Sequence, residues 1–190
     1  MKVAFALCAV LVTAANQRAK EKHEYVSGLR YYTHGRHSCG GSLIAPNAIL
    51  TAASCTELGY IYVSIGSPSL YGGVGGEIIR VQEEIIHPKY NPTTGMYNVA
   101  IMLLERPSKF KPAKVSFDFI GADTPTKIRG WGSNKLQLTY LWEFDDVTAS
   151  HDQCAKWLPN DKVNESVACM GGKGGDRYCQ HFPGYPLTVQ

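Results

Sequence analysis

Short apolar runs separated by turn residues make up the body of the chain and predict a protein built from β-strands. The runs are rich in Val, Ile, Leu and Tyr, which favour strands, and the segments between them carry Gly, Pro and Asn, which favour turns. Many short strands at this spacing are typical of an antiparallel barrel or sandwich. The predicted strands are Tyr25–Tyr32, Gly41–Ile44, Tyr60–Ile65, Glu77–Ile86 and Val99–Leu104.

One helix is predicted, around Gln153–Leu158, and the sequence has no internal repeat of the length that builds solenoids or propellers. The segment Pro107–Pro112 is polar and begins and ends with proline, which cannot donate a hydrogen bond to a sheet ladder. This segment can therefore join two β-barrels, the first at about residues 24–106 and the second at about 113–190.

The first 15 residues have the layout of a secretory signal peptide. Lys2 precedes the apolar stretch Val3–Val12, and small residues follow up to Ala15. A transmembrane helix needs about 20 apolar residues, roughly twice what this stretch provides. We therefore expect residues 1–15 to be removed together with Cys8, and the mature protein to be secreted and to have no membrane partner.

Composition and charge exclude some classes of partner. The 190 residues include 19 basic and 16 acidic ones, and no dense Lys/Arg run or basic stripe interleaved with aromatic residues is present. Nothing in this balance indicates a nucleic-acid partner. Hydrophobic residues make up 44% of the chain, which is enough to bury a core.

Motifs for cofactors, metals or carboxylate chemistry are weak. The His34–Cys39 segment has donor atoms at a spacing suggestive of zinc, but no carboxylate is adjacent. The glycine runs at 72–76 and 171–175 lack the Lys-Ser/Thr of a phosphate-binding loop. The acidic pairs at 83–84 and 145–146 would point to opposite faces of a strand and cannot converge on one glycosidic bond. We predict no cofactor and no metal.

The most specific motif is Cys39–Cys55, CGGSLIAPNAILTAASC, which is very similar to the segment of trypsin-like serine proteases that ends in Ala-Ala-His-Cys. Asn98–Leu104, Gly130–Gly132 and Cys179–Leu187 resemble further family segments in the family's own chain order. The resemblance runs from about Tyr25 to the last residue. It implies an all-β domain at residues 24–190, a double antiparallel β-barrel of Greek-key topology. The second barrel is expected to be incomplete, because the family continues with two more strands and a helix.

The resemblance places Ser54, Asn98 and Pro183 at the positions of the catalytic histidine, aspartate and serine. A serine hydroxyl takes up no proton at neutral pH, and an asparagine carries no charge with which to orient a base. Proline has neither a nucleophilic hydroxyl nor a backbone N–H for an oxyanion hole. The resemblance thus implies a domain with no catalytic residue.

Two further family positions are also altered. Phe182 occupies the position of the aspartate that pairs with the new N-terminus in an activated protease, and Arg177 stands two residues before Cys179, where a specificity aspartate is expected. These changes imply that the activation machinery of the family is missing too.

The spacing of the cysteines does not determine how they pair. The family resemblance implies disulfides between Cys39 and Cys55 and between Cys154 and Cys169. Cys179 is then left unpaired. The tripeptide that begins at Asn164 is an acceptor site for N-glycosylation, which suits a secreted protein.

Within this family the chain is most similar to the glucanase inhibitor proteins secreted by oomycete plant pathogens. The likeness lies in Val26–Arg30, the glycine-rich loop Tyr71–Glu77 and Leu104–Pro112. It implies a virulence effector that binds extracellular endo-β-1,3-glucanases in the host apoplast and suppresses release of defence-eliciting glucan fragments. The residues proposed to contact the glucanase are Tyr71, Tyr90, Tyr97 and Arg177.

Three other functions stay open at this point. The protein could retain hydrolysis through an unrecognised nucleophile, act as an adaptor for another extracellular protein, or be a degenerate copy that neither folds nor binds.

Overall fold

The computed structural model describes residues 2–4, 17–18, 23–131, 139–157, 163, 166–170 and 184–189. Within these ranges no helix is both long and apolar enough to cross a membrane. The elements are β1 Lys2–Ala4, β2 Gln17–Arg18, β3 Val26–Arg30, β4 Cys39–Ala45, β5 Ala48–Thr51, α1 Ala53–Thr56, β6 Tyr62–Ile65, β7 Glu77–Ile86, β8 Ala100–Leu104, β9 Pro125–Gly130, β10 Trp142–Val147, α2 His151–Trp157 and β11 Leu187–Val189.

Six antiparallel strands close a barrel in the order β3-β4-β5-β8-β7-β6. Closure leaves no free strand edge, and the inward-facing side chains fill the interior. All five predicted strands lie in this barrel. The sequence pattern missed β5, a strand of four residues that begins directly after the turn residues Pro46 and Asn47. Side chains with no exposed surface fill the barrel core, including Leu29, Leu43, Ile49, Val63 and Met102.

The second unit is a five-stranded antiparallel sheet in the order β1-β11-β9-β10-β2. Helix α2 follows β10, and its first turn is capped by Ser150, whose hydroxyl accepts a hydrogen bond from the Gln153 N–H at 3.2 Å. The cap explains why this helix begins at His151, two residues before the predicted start. The prediction of a helix here is confirmed.

The sheet docks onto the barrel through a continuous apolar core and several hydrogen bonds. Trp131, which follows β9, is buried in the same core cluster as the barrel residues. Its indole N–H donates to the Pro68 carbonyl at 2.9 Å, and the Leu141 N–H donates to the same oxygen at 2.8 Å. A closed barrel joined to a second sheet confirms the prediction of a mostly β, trypsin-like fold.

Candidate functional site

Ser54 lies in the single-turn helix α1, directly after barrel strand β5. The next residue, Cys55, forms a disulfide with Cys39 at the start of β4, with the two Cα atoms 6.2 Å apart. The Thr56 hydroxyl donates to the Ala53 carbonyl at 2.7 Å and closes the turn. Ser54 is thus held on a short helix that is covalently fixed to the barrel wall.

Asn98 lies in the loop before β8, and the residue preceding it fixes the loop. Tyr97 has a positive φ of 52°, and its carbonyl accepts the Val99 N–H at 2.7 Å. Its ring stacks on the His87 ring with centroids 5.1 Å apart, and its backbone N–H donates to the Ser166 hydroxyl at 3.1 Å. A positive φ is uncommon for a residue other than glycine, and at Tyr97 it is held by the ring stack on one side and the Ser166 hydrogen bond on the other. These contacts fix the backbone that leads into Asn98 and hence the direction of the Asn98 side chain.

The structure brings Ser54 and Asn98 together through two hydrogen bonds. The Asn98 carbonyl oxygen Oδ1 accepts the Ser54 backbone N–H at 2.8 Å, and the Asn98 amide Nδ2 donates to the Ser54 hydroxyl oxygen at 3.2 Å. The pair carries no charge. Neither side chain can take a proton from a nucleophile at neutral pH, since a hydroxyl and an amide are not bases there.

Pro183, which the resemblance places at the position of the catalytic serine, lies outside the described residues, as do Phe182, Arg177, Cys179 and Asn164. The chain is described again from Gly184, which has a φ of 77°. A Cβ atom at Gly184 would lie 2.3 Å from the Gly40 carbonyl oxygen, so only glycine fits this close approach to β4. The segment after position 183 is thereby pinned against the barrel.

Tyr185 fills the junction between the two units and was not recognised from the sequence as important. The segment Cys179–Leu187 resembles the nucleophile segment Cys-Gln-Gly-Asp-Ser-Gly-Gly-Pro-Leu of trypsin-like proteases, and Tyr185 stands at the position of its last glycine. This glycine-to-tyrosine replacement is the sequence feature that could have pointed to the residue. Cβ atoms built on Gly40 and Gly130 would lie 2.2 Å and 2.9 Å from its ring atom Cδ1, so both glycines make room for the ring. Burial raises the pKa of the Tyr185 phenol. The side chain is therefore a wedge between barrel and sheet.

His37 is a buried imidazole beside this wedge. Its ring meets Trp131 edge to face with centroids 4.2 Å apart, and neither ring nitrogen has a hydrogen-bond partner in the described structure. Burial, followed by the positive charges of Arg30 and Arg36, lowers the pKa of His37 to about 3. An imidazole with so low a pKa is a weak base, and neither of its nitrogens contacts a nucleophile in the described structure, so His37 is not placed to act as a general base.

The described cysteines form the two pairs that the resemblance implied, Cys39–Cys55 and Cys154–Cys169. In the His34–Cys39 segment, whose spacing suggests zinc, the Cys39 sulfur is bonded in a disulfide and is not available as a metal ligand. The His34 ring stacks on the Tyr32 ring with centroids 5.8 Å apart. No group of three or more His, Cys, Asp or Glu side chains converges as metal ligands in the part of the chain that is described.

Of the residues proposed to contact a glucanase, Tyr71 is more than half exposed. Tyr90 and Tyr97 are only partly exposed, and the Tyr97 ring is stacked on His87. Arg177 is not among the described residues. The loop of Tyr71 is therefore the most accessible of the described candidates.

A closed six-stranded barrel docked on a second antiparallel sheet, with Ser54 on the short helix α1 hydrogen-bonded to Asn98 on the loop before β8, defines a protein of the trypsin-like class. The solved structure of neuropsin, a serine protease expressed in the limbic system of mouse brain, has the same fold: the TM-score is 0.80 at 25% identity, over 93% of this chain and 82% of that one. The sequence model of the family described as Trypsin matches residues 14–181. The chain belongs to the trypsin family.

Curated relatives give a finer comparison. Glucanase inhibitor protein 3 of Phytophthora infestans is 34% identical over 175 residues, which cover 87% of this chain and 67% of the relative. Glucanase inhibitor protein 4 of the same organism is 33% identical over 192 residues, which cover 95% of this chain and 73% of the relative. The chain thus spans about two thirds to three quarters of the length of these two proteins.

Proposed function

We propose that this protein is a secreted, non-catalytic member of the trypsin family that binds and inhibits a host endo-β-1,3-glucanase. It would thereby suppress the release of glucan oligosaccharides that elicit plant defence. The proposed partner is the extracellular glucanase itself, with no nucleic acid, membrane or cofactor involved.

The observation that carries the loss of catalysis is the neutral hydrogen-bonded pair of Ser54 and Asn98. A trypsin-type mechanism needs an imidazole base held by a carboxylate, and this pair supplies neither. Pro183, which the resemblance places at the position of the nucleophilic serine, has no hydroxyl with which to attack a substrate. The buried His37, with its low pKa, offers no substitute base. Together these residues favour a binding protein over a hydrolase.

The glucanase as partner is supported by the relatives named glucanase inhibitor proteins, which are 33–34% identical to this chain. A shared fold alone does not fix a partner, because one scaffold carries many functions. The chain keeps the closed barrel of its relatives, and the Ser54–Asn98 pair carries no charge. Both observations favour a protein that binds the glucanase through its surface loops.

Secretion into the apoplast is part of the same proposal. Residues 1–15 would act as the signal peptide and residues 24–190 would form the trypsin-like domain, with the first barrel at about 24–106. Removal of residues 1–15 would take β1 out of the second sheet, where it pairs with β11. Strand β11 would still pair with β9. N-glycosylation at Asn164 belongs to this secretory route.

The function is tested by assaying laminarin hydrolysis by a panel of plant endo-β-1,3-glucanases with and without the purified mature protein. We expect inhibition of at least one glucanase at a stoichiometric ratio, with heat released on mixing in calorimetry. Circular dichroism of the same sample establishes that the protein is folded. A folded protein that leaves hydrolysis unchanged across the panel and gives no heat would contradict the proposal.

The absence of catalysis is tested separately with casein and a chromogenic ester. We expect turnover no faster than that of the Ser54→Ala variant, which removes the only side-chain hydroxyl of the Ser54–Asn98 pair. Turnover that exceeds this control, or labelling of the protein by an activated phosphonate, would show that a nucleophile is active.

A further inference from the structure

His37 lies in the segment between β3 and β4, at the contact between the barrel and the second sheet, and it is only 2% exposed. On the barrel side, a Cβ atom built on Gly28 of β3 would lie 2.4 Å from the ring, so the imidazole packs directly on the strand backbone. On the sheet side, the ring contacts Trp131 with centroids 4.2 Å apart, and the Tyr185 ring centroid is 6.5 Å away. The imidazole is thus enclosed between the two units.

The charges that act on this imidazole in the described structure are positive. The Arg30 guanidinium, on β3, is buried and donates to the backbone carbonyls of Thr33 at 3.2 Å and Leu70 at 3.5 Å. Arg36 precedes His37 in the same segment and is the second cation. No Asp or Glu is among the described groups that shift the pKa of Arg30 or His37. A proton on His37 would therefore add a second buried cation with no carboxylate to offset it.

Hydrogen bonding does not compensate for that charge. Neither ring nitrogen of His37 has a hydrogen-bond partner in the part of the chain that is described. The Leu70 carbonyl acts to raise the pKa of His37, but it already accepts the His37 backbone N–H at 3.3 Å and the Arg30 side chain. The Tyr185 phenol, which faces the ring from the sheet, has a pKa raised by burial and stays neutral. Burial, followed by the two arginines, lowers the pKa of His37 to about 3.

The barrel side of the enclosure is firmly held. Strand β3 pairs with β4 along one edge and with β6 along the other. The Ser38 N–H donates to the Leu29 carbonyl at 3.2 Å, and the next residue, Cys39, is joined to Cys55 by a disulfide. His37 is therefore fixed to the barrel wall by its chain neighbours.

The second sheet, by contrast, meets this part of the barrel through loops. The Leu70 N–H donates to the Thr139 carbonyl at 2.9 Å, and the Leu141 N–H donates to the Pro68 carbonyl at 2.8 Å. The Trp131 indole donates to the same Pro68 oxygen at 2.9 Å. A displacement of the sheet would break these bonds and expose the imidazole without disrupting any strand pairing of the barrel.

We propose that His37 is an acid-sensitive switch at this junction: protonation of the imidazole in mild acid favours an open state in which the second sheet has separated from the barrel while the barrel stays folded. The open state exposes the ring to water, so it binds a proton that the closed state excludes. The population of the open state therefore rises as the pH falls below about 6.5, by up to about tenfold per pH unit. Between pH 7 and pH 5 the expected rise is roughly twentyfold.

Hydrogen exchange of the purified mature protein, followed by mass spectrometry at pH 7 and pH 5, measures this opening. Protection factors, corrected for the intrinsic pH dependence of exchange, report the population of the open state. We expect the segments that contain Leu70 and Leu141 to lose protection roughly twentyfold, and β5 and β8 of the barrel wall to change less than about twofold. This pH window lies above the ordinary pKa of Asp and Glu, which limits their contribution.

The matched variants are His37→Gln, which keeps a neutral polar side chain that does not titrate, and His34→Gln, which removes an exposed imidazole from the same segment. In His37→Gln, the pH-dependent loss of protection at Leu70 and Leu141 should fall below about twofold. In His34→Gln it should stay roughly twentyfold. An undiminished loss in His37→Gln, or its disappearance in His34→Gln, would overturn the inference.

If His37→Gln does not fold, NMR titration of the wild-type protein supplies the decisive measurement. The His37 ring signal of the closed state should keep the chemical shift of a neutral imidazole down to pH 5. A signal that titrates near pH 6.5 while the Leu70 and Leu141 amides stay protected would show that the closed state accepts the proton, and the inference would fall.

The pattern of exchange also tests where the protein opens. Loss of protection confined to residues 31–38, with Leu141 unchanged, would mean that this segment swings out by itself. An equal loss in β5 and β8 would mean that the whole protein unfolds. Either result overturns the proposed separation of the two units. Because every measurement uses the isolated protein, the outcome is independent of whether a glucanase is the partner.

Discussion

Asn98 and Ser54 hold each other through two hydrogen bonds, with Oδ1 accepting the Ser54 backbone N–H at 2.8 Å and Nδ2 donating to the Ser54 hydroxyl oxygen at 3.2 Å. The direction of the second bond has a chemical consequence. An imidazole placed at position 54 would meet an amide donor at its Nδ1 atom, which would then have to accept. That arrangement places the proton on Nε2, the nitrogen that must be free to act as the base.

Restoring the triad with Ser54→His, Asn98→Asp and Pro183→Ser should leave the protein without protease activity. These changes supply base, orienter and nucleophile, but Phe182 remains where the family uses an aspartate to order the active site. We expect no cleavage of casein or peptide substrates above the Ser54→Ala background. Cleavage by the triple variant would show that the active site is ordered without that aspartate.

Removing the hydrogen-bonding groups of Asn98 should destabilise the protein. Asn98→Leu leaves the partly buried Ser54 N–H without an acceptor, so we expect a loss of about 1–2 kcal/mol in the free energy of unfolding. Asn98→Asp keeps an acceptor for that N–H and should cost less. Urea unfolding of both variants measures the difference, and equal stabilities would mean that the Ser54–Asn98 bonds contribute nothing.

The wedge formed by Tyr185 should be among the most sensitive positions. Tyr185→Ala empties the space between Gly40 and Gly130, and we expect a loss of about 3–5 kcal/mol, as for other buried aromatic residues. Gly40→Ala should also destabilise, because its Cβ would clash with the ring, and this loss should shrink in the Tyr185→Ala background. Tyr140→Ser, on an exposed ring, serves as the control and should change stability by less than about 0.5 kcal/mol. Additive losses in the double variant would contradict the predicted clash.

His37 should make the protein less stable in mild acid. Its pKa falls from 6.5 to about 3 on folding, so between these values the unfolded chain binds more protons than the folded one. Stability is therefore fully present above pH 6.5 and declines as the pH falls, by up to about 1.4 kcal/mol per pH unit. His37→Leu should flatten this slope in urea unfolding at pH 4 to 7, whereas His34→Leu should not. An unchanged slope in His37→Leu would mean that other groups cause it.

Glu143, on β10, pairs with the cationic side chains of Lys127 and Arg129 on β9 and should control stability at lower pH. Burial raises the pKa of this carboxyl, but hydrogen bonds and charge from Lys127 and Arg129 outweigh it and lower the pKa overall. The Arg129 side chain, at 2.7 Å from Glu143, is only 5% exposed, and His23 lies 3.2 Å away. The stabilisation is present above the unfolded pKa of about 4.3 and is lost as the pH falls through the folded one.

The corresponding variant, Glu143→Gln, leaves the buried Arg129 guanidinium without its carboxylate. We expect a loss of about 2 kcal/mol at pH 7 that narrows below about pH 4. The control is Asp145→Asn, which removes the charge of the other carboxylate that pairs with Lys127. Because the Asp145 side chain is 62% exposed, this change should reduce the free energy of unfolding only slightly. Thermal unfolding at pH 7 and pH 3 tests both variants, and an equal loss at the two pH values would rule out the carboxylate charge as the cause.

The barrel strands were largely predictable because runs of four to ten residues rich in Val, Ile, Leu and Tyr lie between turn residues. Strand β7 was predicted with the same bounds that the structure has, Glu77–Ile86. The strands of the second sheet were not predicted. Strand β9 begins at a proline, β10 has charged residues in its middle, and β11 has three residues, so none shows a clear period. Their pairing partners decide that they are strands, and those partners are distant in the chain.

The sequence alone determined the class of the domain, because the motifs that identify the class are local and of fixed residue type; the same motifs are the basis for the predicted catalytic positions. It also determined that Ser54 and Asn98 can hold no charge. Only the tertiary structure decided that these two side chains bond to each other, that Tyr185 fits between two glycines, and that the buried Arg30 guanidinium donates to the Leu70 carbonyl. Such contacts join residues 40 to 145 positions apart, and a linear pattern carries no information on which distant groups meet.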